Sequence, residues 1–579
     1  MPLEPISGSR DFRLDGGASN RLLLHTPSRP PTPPDPLAVD GDAPASAAVA
    51  AVPRLGWWNF YFLAKLVLFW RELIGLHPLE NLAFAVFLLL PLRRLVWQKA
   101  RSIAAVPLGI ALLYYDSWLP PISRAISQVS LISDFSPAYL GELIGRFVSW
   151  PIVAILVIAA VGYRIVAMRV RVGVLVMALL GVLSMIHSPA GVPGSARTDT
   201  VARQGIEGEH ETSISQIGLD NALREHYAKE AQQVVRFSKP SEASVPFDVI
   251  FLHVCSLSWD DLRAMGLEHH PLWKRFDIVL TRFNSGASYS GPAAIRMLRA
   301  PCGQTSHTDL YSPVPEHCYL MPSLRQAGFQ TNLLLNHDGH FDDFLGVVRG
   351  QGNQGISPQT LNGIPVAQRA FDNSPIYDDF ALLSRWVDSR EANAADRVAA
   401  YFNTVSLHDG NRLTGADSKR SSTETYINRL VKVLDDMDKF MMKLEAAGRR
   451  AVVVMLPEHG AAVRGDKMQI AGLREIPSPA ITLVPVGVKV IGPETRRSTD
   501  PLWIDSPTSY LAVSHIVARM LDKSPFSAAG FTPADYVDDL PGSEFVAENA
   551  GMLTMRQGNR YFLRMDKEGW TEYATAGKQ

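Results

Sequence analysis

The sequence predicts a multi-span α-helical membrane domain followed by an α/β domain built on a central, mostly parallel sheet. Two observations carry that expectation. The longest apolar runs all lie between Gly56 and Ile186, and after Phe247 near-continuous apolar runs alternate with helical stretches. The 579 residues carry a formal net charge of -1 at pH 7, which gives no reason to expect nucleic acid as a partner.

Residues 1–55 are rich in Pro, Ser, Ala and Asp and include SRPPTPPDP. Such a composition buries too little apolar surface to offset the entropy of ordering, so this stretch reads as a disordered tail. It lacks the apolar core and cleavage site of a secretory signal, which leaves targeting to the first membrane helix.

About five apolar segments follow within residues 56–187, beginning at Gly56, Asn81, Ile103, Phe147 and Val170. A span takes roughly 17 to 25 residues with its interfacial ends, so the second and third are short. Arg93, Arg94, Lys99 and Arg101 crowd the loop after the second segment, and Arg164, Arg169 and Arg171 the loop after the fourth. Both loops should be cytoplasmic, which puts the tail inside and everything after Ile186 outside, in a periplasm-like compartment.

Residues 188–245 read as a linker. SPAGVPGSARTD is loop, and Leu219, Leu223, Tyr227 and Val234 recur at roughly helical spacing. Residues 246–579 form the α/β domain: FDVIFLHV, YFNTVSL, AVVVMLP and ITLVPVGVKV are strand-like, with helical stretches such as TETYINRLVKVLDDMDKFMMKLEAAG between them. The terminal MLTMRQGNRYFLRM alternates like a hairpin about QGN.

In such sheets ligands bind beyond the carboxyl ends of the strands. Cys255 ends one strand, Glu458 and His459 end another, and Ser290 lies between a strand end and a helix. Singly, these residues read as a small buried hydrophobe, a solvated strand end and a helix cap. Together, a thiolate, a carboxylate and an imidazole supply the three protein ligands that zinc keeps in catalytic sites, with Ser290 able to fill the open fourth position. His253, on the strand face of Cys255, and His337, Asp338 and His340, after another apolar run, could line the same site.

Cys302 and Cys318 are the close pair among the three cysteines, and in an oxidising compartment they should form a disulfide worth roughly 3 kcal/mol. Cys255 is then the odd thiol, which a metal would hold as thiolate.

The motifs CSLSWDDL, FNSGASYSGPAAIRMLRAPCGQTSH, SLHDGN and PEHGAAVRGDKMQIAGLREIPSP occur in one order and resemble the BcsG family of bacterial cellulose-biosynthesis phosphoethanolamine transferases. The resemblance covers the membrane region loosely and Phe247 to the C-terminus closely. It implies an alkaline-phosphatase-like periplasmic domain with one zinc ion (Zn2+), ligands Cys255, Glu458 and His459, and Ser290 as nucleophile. Tyr289, His408 and Arg474 match residues lining that site. The related lipid A enzymes carry a carboxylate, a threonine and an Asp-His pair where this sequence has Cys, Ser and Glu-His, which speaks against that substrate.

The implied activity moves phosphoethanolamine from phosphatidylethanolamine to cellulose, beside cellulose synthase complex subunits in the inner membrane. Two other readings stand beside it, a periplasmic phosphatase of the same fold and a structural subunit of the secretion complex.

Overall fold

The computed structural model describes residues 55–71, 74–117, 135–147, 150–169, 172–186, 215–242, 244–466, 468–493, 500–528, 530–566 and 569–573. The Pro-rich tail and the SPAGVPGSARTD loop lie outside them.

Helices Trp58–Trp70, Pro78–Leu89, Leu95–Tyr115, Trp150–Val166 and Val172–Ile186 correspond to the five apolar segments. Phe62, Phe84, Ala85, Leu88, Ala105, Val176 and Leu180 pack in their shared core. A polar knot pins three of them: Lys65 donates to Asn81 Oδ1 at 2.7 Å, Asn81 Nδ2 donates to Asp116 Oδ2 at 2.7 Å, and Lys65 pairs with Asp116. Among the described residues, no helix is long and apolar enough to cross a membrane.

Among the described residues fourteen strands follow: β1 (Asp248–Val254), β2 (Ile278–Asn284), β3 (Gln330–Leu335), β4 (Val366–Arg369), β5 (Pro375–Tyr377), β6 (Val398–Thr404), β7 (Arg412–Leu413), β8 (Ala451–Pro457), β9 (Leu483–Ile491), β10 (Leu502–Ile504), β11 (Val546–Asn549), β12 (Met552–Gln557), β13 (Arg560–Met565) and β14 (Thr571–Tyr573). Seven form the central sheet in the order β10-β2-β9-β8-β1-β6-β3.

Side chains alternate across β1. Val249 and Phe251 join the helices Ser290–Leu298 and Tyr510–Asp522 on one face, while Ile250, Leu252 and Val254 meet Asp379–Glu391 and Ser422–Ala446 on the other. Burial on both faces is why these strands read as continuous apolar runs.

One strand departs from the predicted parallel arrangement. β9, read in the sequence as another parallel strand, is antiparallel to both β8 and β2, whereas β1, β2, β3, β6, β8 and β10 share one direction. The reason is the connection: the described residues between Glu458 and Ser478 make no crossover helix, so the chain re-enters the sheet from the edge at which β8 left it.

The linker helix runs Gln216–Glu230, so Val234 lies beyond it, exposed and bridged to Cys302. Leu219 and Leu223 pack on the antiparallel β11-β12-β13-β14 sheet against Leu553, Phe562 and Trp570. The predicted hairpin is β12–β13, with Gln557 opposite Arg560.

Candidate metal and nucleophile site

Register builds the centre of the site. β1 and β8 are adjacent and parallel with Val254 opposite Pro457, so the next residues, Cys255 and Glu458, emerge side by side at the carboxyl edge. The ladder runs on past the strands: Glu458 N–H donates to Val254 O at 2.8 Å and Leu257 N–H to His459 O at 2.6 Å. Cys255, Glu458 and His459 are fully buried, and one ligand atom from each lies within 4.8 Å of the others.

Ser290 completes the group from a third element. It is the first residue of its helix, whose N-cap is Tyr289, and its Oγ lies 3.4 Å from Cys255 Sγ and 3.4 Å from His459 Nε2. Its hydroxyl therefore faces the cluster, at the positive end of a helix dipole.

The donor set fits a metal. Glu458 Oε2 is buried with no hydrogen-bond partner. His459 Nδ1 lies 2.9 Å from Gly460 O and 3.3 Å from Arg474 Nη1; the shorter contact to the carbonyl favours the proton on Nδ1, which leaves Nε2 free to ligate. The 3.4, 3.4 and 4.0 Å separations among Ser290 Oγ, Cys255 Sγ and His459 Nε2 bracket the roughly 3.5 Å edge of a tetrahedron with zinc bond lengths. Electrostatics agrees. Burial, then the Glu458 charge, pushes the Cys255 thiol up to about 12; burial pushes the Glu458 carboxyl up to about 7 and pulls the His459 imidazole well down. A divalent cation restores such groups to thiolate and carboxylate.

Surrounding residues orient these candidate donor side chains. Asn403 Nδ2 donates to Glu458 Oε1 at 2.5 Å. His337 takes the Gly339 N–H on Nδ1, so its Nε2 donates to Asn403 Oδ1 at 3.0 Å. His337 thus reaches the site through Asn403, not as a ligand, while Asp338 and His340 pair with each other in solvent. His253 sits beneath, with Nδ1 2.8 Å from the Tyr401 hydroxyl and 3.6 Å from Glu458 Oε1, and burial holds its pKa down at about 3.

Arg474 donates to Ser256 Oγ at 3.1 Å and stacks over the Tyr289 ring at 5.7 Å. The Tyr289 hydroxyl donates to Glu475 at 2.6 Å, so Tyr289 fixes the Arg474–Glu475 loop. Asn549, at the end of β11, holds that loop too, donating to the carbonyls of Arg474 and Glu475 at 3.1 and 2.9 Å. Ser256 has a φ of 60°, a left-handed conformation that costs about 1–3 kcal/mol in a serine. The strained turn places its carbonyl under the Tyr426 hydroxyl at 2.8 Å and its hydroxyl under Arg474.

His408 follows β6 and is half-buried, with Nδ1 2.7 Å from Asp409 O and its ring 5.3 Å from Phe371. Burial, then the Arg474 charge, holds its pKa down at about 4. Cys302 and Cys318 form the predicted disulfide, with Cα atoms 5.1 Å apart.

The C-terminal domain model of the cellulose biosynthesis protein BcsG matches residues 204–570, and the N-terminal domain model matches 58–185. The chain belongs to the BcsG family. The cellulose biosynthesis protein BcsG of Salmonella typhimurium (strain LT2) is 39% identical over 544 residues, spanning 90% of this chain and 96% of that protein. The BcsG of Escherichia coli (strain K12) is 39% identical over 542 residues with the same coverage. Among solved structures, the C-terminal periplasmic domain of EcEptC from Escherichia coli overlaps more distantly, at a TM-score of 0.40 and 14% identity over 55% of this chain and 94% of that one.

Asn403, Ser256, Glu475 and Asn549 were not singled out in the sequence. Glu475 and Ser256 lie inside the quoted motifs beside Arg474 and Cys255, and that adjacency was the available signal. Nothing in the sequence ties Asn549 to a loop some 75 positions away.

Proposed function

We propose that this BcsG family member is a zinc-dependent transferase that moves phosphoethanolamine from phosphatidylethanolamine to cellulose through a covalent ester on Ser290. The observation that carries the reading is the Ser290 hydroxyl, set 3.4 Å from both Cys255 Sγ and His459 Nε2 at a helix N-terminus. Cellulose as acceptor rests on the family, whose named relatives are cellulose biosynthesis proteins.

Cys255, Glu458 and His459 would hold the zinc, which when bound supplies Lewis acidity and favours the serine alkoxide. Ser290 Oγ attacks phosphorus, an Oγ–P bond forms, and the bond to the diacylglycerol oxygen breaks. A glucosyl hydroxyl then attacks the same phosphorus and Ser290 leaves. Arg474 neutralises the nonbridging oxygens. His408, neutral in the resting site, passes the Ser290 proton to the departing diacylglycerol oxygen in the first displacement, and in the second takes the proton of the incoming hydroxyl and returns it to Ser290 Oγ.

The multi-span arrangement in an inner membrane, with the α/β domain in the periplasm, belongs to the same proposal. Ile155, Ile158, Val174 and Met185 are exposed on the N-terminal helices, as on helices that face lipid. Such tethering concentrates the enzyme near its lipid donor and beside a cellulose synthase complex.

The test uses the full chain in phosphatidylethanolamine vesicles with a cello-oligosaccharide acceptor. Wild type should carry about one zinc per chain and transfer phosphoethanolamine; Cys255→Ala should lose the metal and Ser290→Ala the labelled ester and the transfer. Turnover surviving in Ser290→Ala removes the nucleophile assignment. Release of free phosphoethanolamine without transfer selects the phosphatase, and metal-free inert wild type selects the structural subunit.

A further inference from the structure

The helix Pro137–Phe147 lies between the third and fourth apolar segments, yet it docks on the loop that carries His408. Tyr139, Glu142 and Arg146 share one face of it. Arg146 grips Asp409 with both ends of its fork, Nη1 to Oδ2 and Nη2 to Oδ1, each at 2.7 Å, and the Tyr139 hydroxyl donates to Asp409 Oδ2 at 3.0 Å. Glu142 accepts from Arg412 at 3.0 Å and from the Ser422 backbone at 3.2 Å. Just before the helix, Ser136 N–H donates to Phe371 O at 2.8 Å, and Phe371 is the ring that touches His408.

A second observation is independent of those bonds. Two glycines of the α/β domain lack side chains where this helix arrives. A Cβ on Gly410 would meet the Tyr139 ring at 2.9 Å, and a Cβ on Gly472, two residues before Arg474, would meet Arg146 Nη1 at 2.6 Å. Both loops flanking the site are shaped to receive residues from the N-terminal region.

We propose that Pro137–Phe147 is a positioning element of the catalytic site, with Arg146 and Tyr139 holding Asp409 so that His408 and the Arg474 loop stand in reacting geometry. The α/β domain is then completed by a segment of the membrane half, over 260 positions away in sequence. The paired fork suits the task because two parallel charge-assisted hydrogen bonds fix orientation as well as distance. The assignment rests on the catalytic role given to His408 above.

The experiment compares wild type, Arg146→Lys and Arg146→Gln as full chains in phosphatidylethanolamine nanodiscs. It reads transfer kinetics together with hydrogen exchange of residues 405–412. In Arg146→Gln, kcat should fall about 10- to 100-fold with little change in KM, while exchange in 405–412 rises and exchange in β1 and β8 stays put. Arg146→Lys, which keeps the charge but not the fork, should fall between. Wild-type kcat in Arg146→Gln overturns the proposal even if the loop loosens, because the helix is then mere packing. Unchanged loop exchange overturns it as well. If wild type itself transfers nothing, the functional reading falls and the positioning role falls with it; a transferring wild type matched by Arg146→Gln removes the positioning role alone.

Discussion

The Asn403 amide fixes one oxygen of Glu458 at 2.5 Å and is itself held by His337. Removing it frees the carboxylate to rotate, and groups behind metal ligands set affinity in this way. Asn403→Ala should weaken zinc binding by about 10- to 100-fold, read by competition with a chromogenic chelator, with the fold intact by circular dichroism. Unchanged affinity would mean that Cys255 and His459 alone orient Glu458. The grouping of Cys255, Glu458 and His459 was legible in the sequence because a cysteine and an acid–imidazole pair at the ends of apolar strands are uncommon. It hid Asn403, which lies within β6 and looks like any polar residue of a strand.

Among elements, those that bury both faces were read nearly to the residue, as β8 shows: the predicted AVVVMLP is the strand Ala451–Pro457. The direction of β9 was not, because direction depends on the connecting segment, and a loop and a crossover helix leave the same apolar strand. The start of Asp379–Glu391 carries a titration that no sequence pattern announces. Asp379 is buried, accepting from Ser406 at 2.6 Å and from Asn336 at 2.9 Å, and burial pushes its carboxyl up to about 7. The folded protein therefore keeps a proton there that the unfolded chain sheds near pH ~4, so stability from this group is full below that value and falls as pH rises towards about 7. Asp379→Asn, which mimics the protonated form, should gain on wild type by about 4 kcal/mol between pH ~4 and ~8. Melting curves of zinc-saturated full chains across that range test it, and a constant offset between the two proteins would place the carboxyl in its usual range.

At the scale of the whole molecule, the orientation read from arginine-rich loops and the docking of Pro137–Phe147 bear on one topology. With the loop after the second segment cytoplasmic, the loop after the third is periplasmic, and this is the loop whose helix grips the α/β domain. The native cysteines suit a labelling test, since Cys255 is buried and Cys302 and Cys318 are paired. Single cysteines at Val96, Ile144 and Trp503, which are 74%, 63% and 47% exposed, report on the start of the helix Leu95–Tyr115, the docked helix and the α/β domain. In intact spheroplasts an impermeant maleimide should label Ile144→Cys and Trp503→Cys, and should reach Val96→Cys only after permeabilisation. Labelling of Val96→Cys from outside would remove the span between residues 96 and 144 and put the charge argument in error. Labelling of Trp503→Cys without Ile144→Cys would separate the helix from the domain it grips, and the Arg146–Asp409 clamp would fall with it.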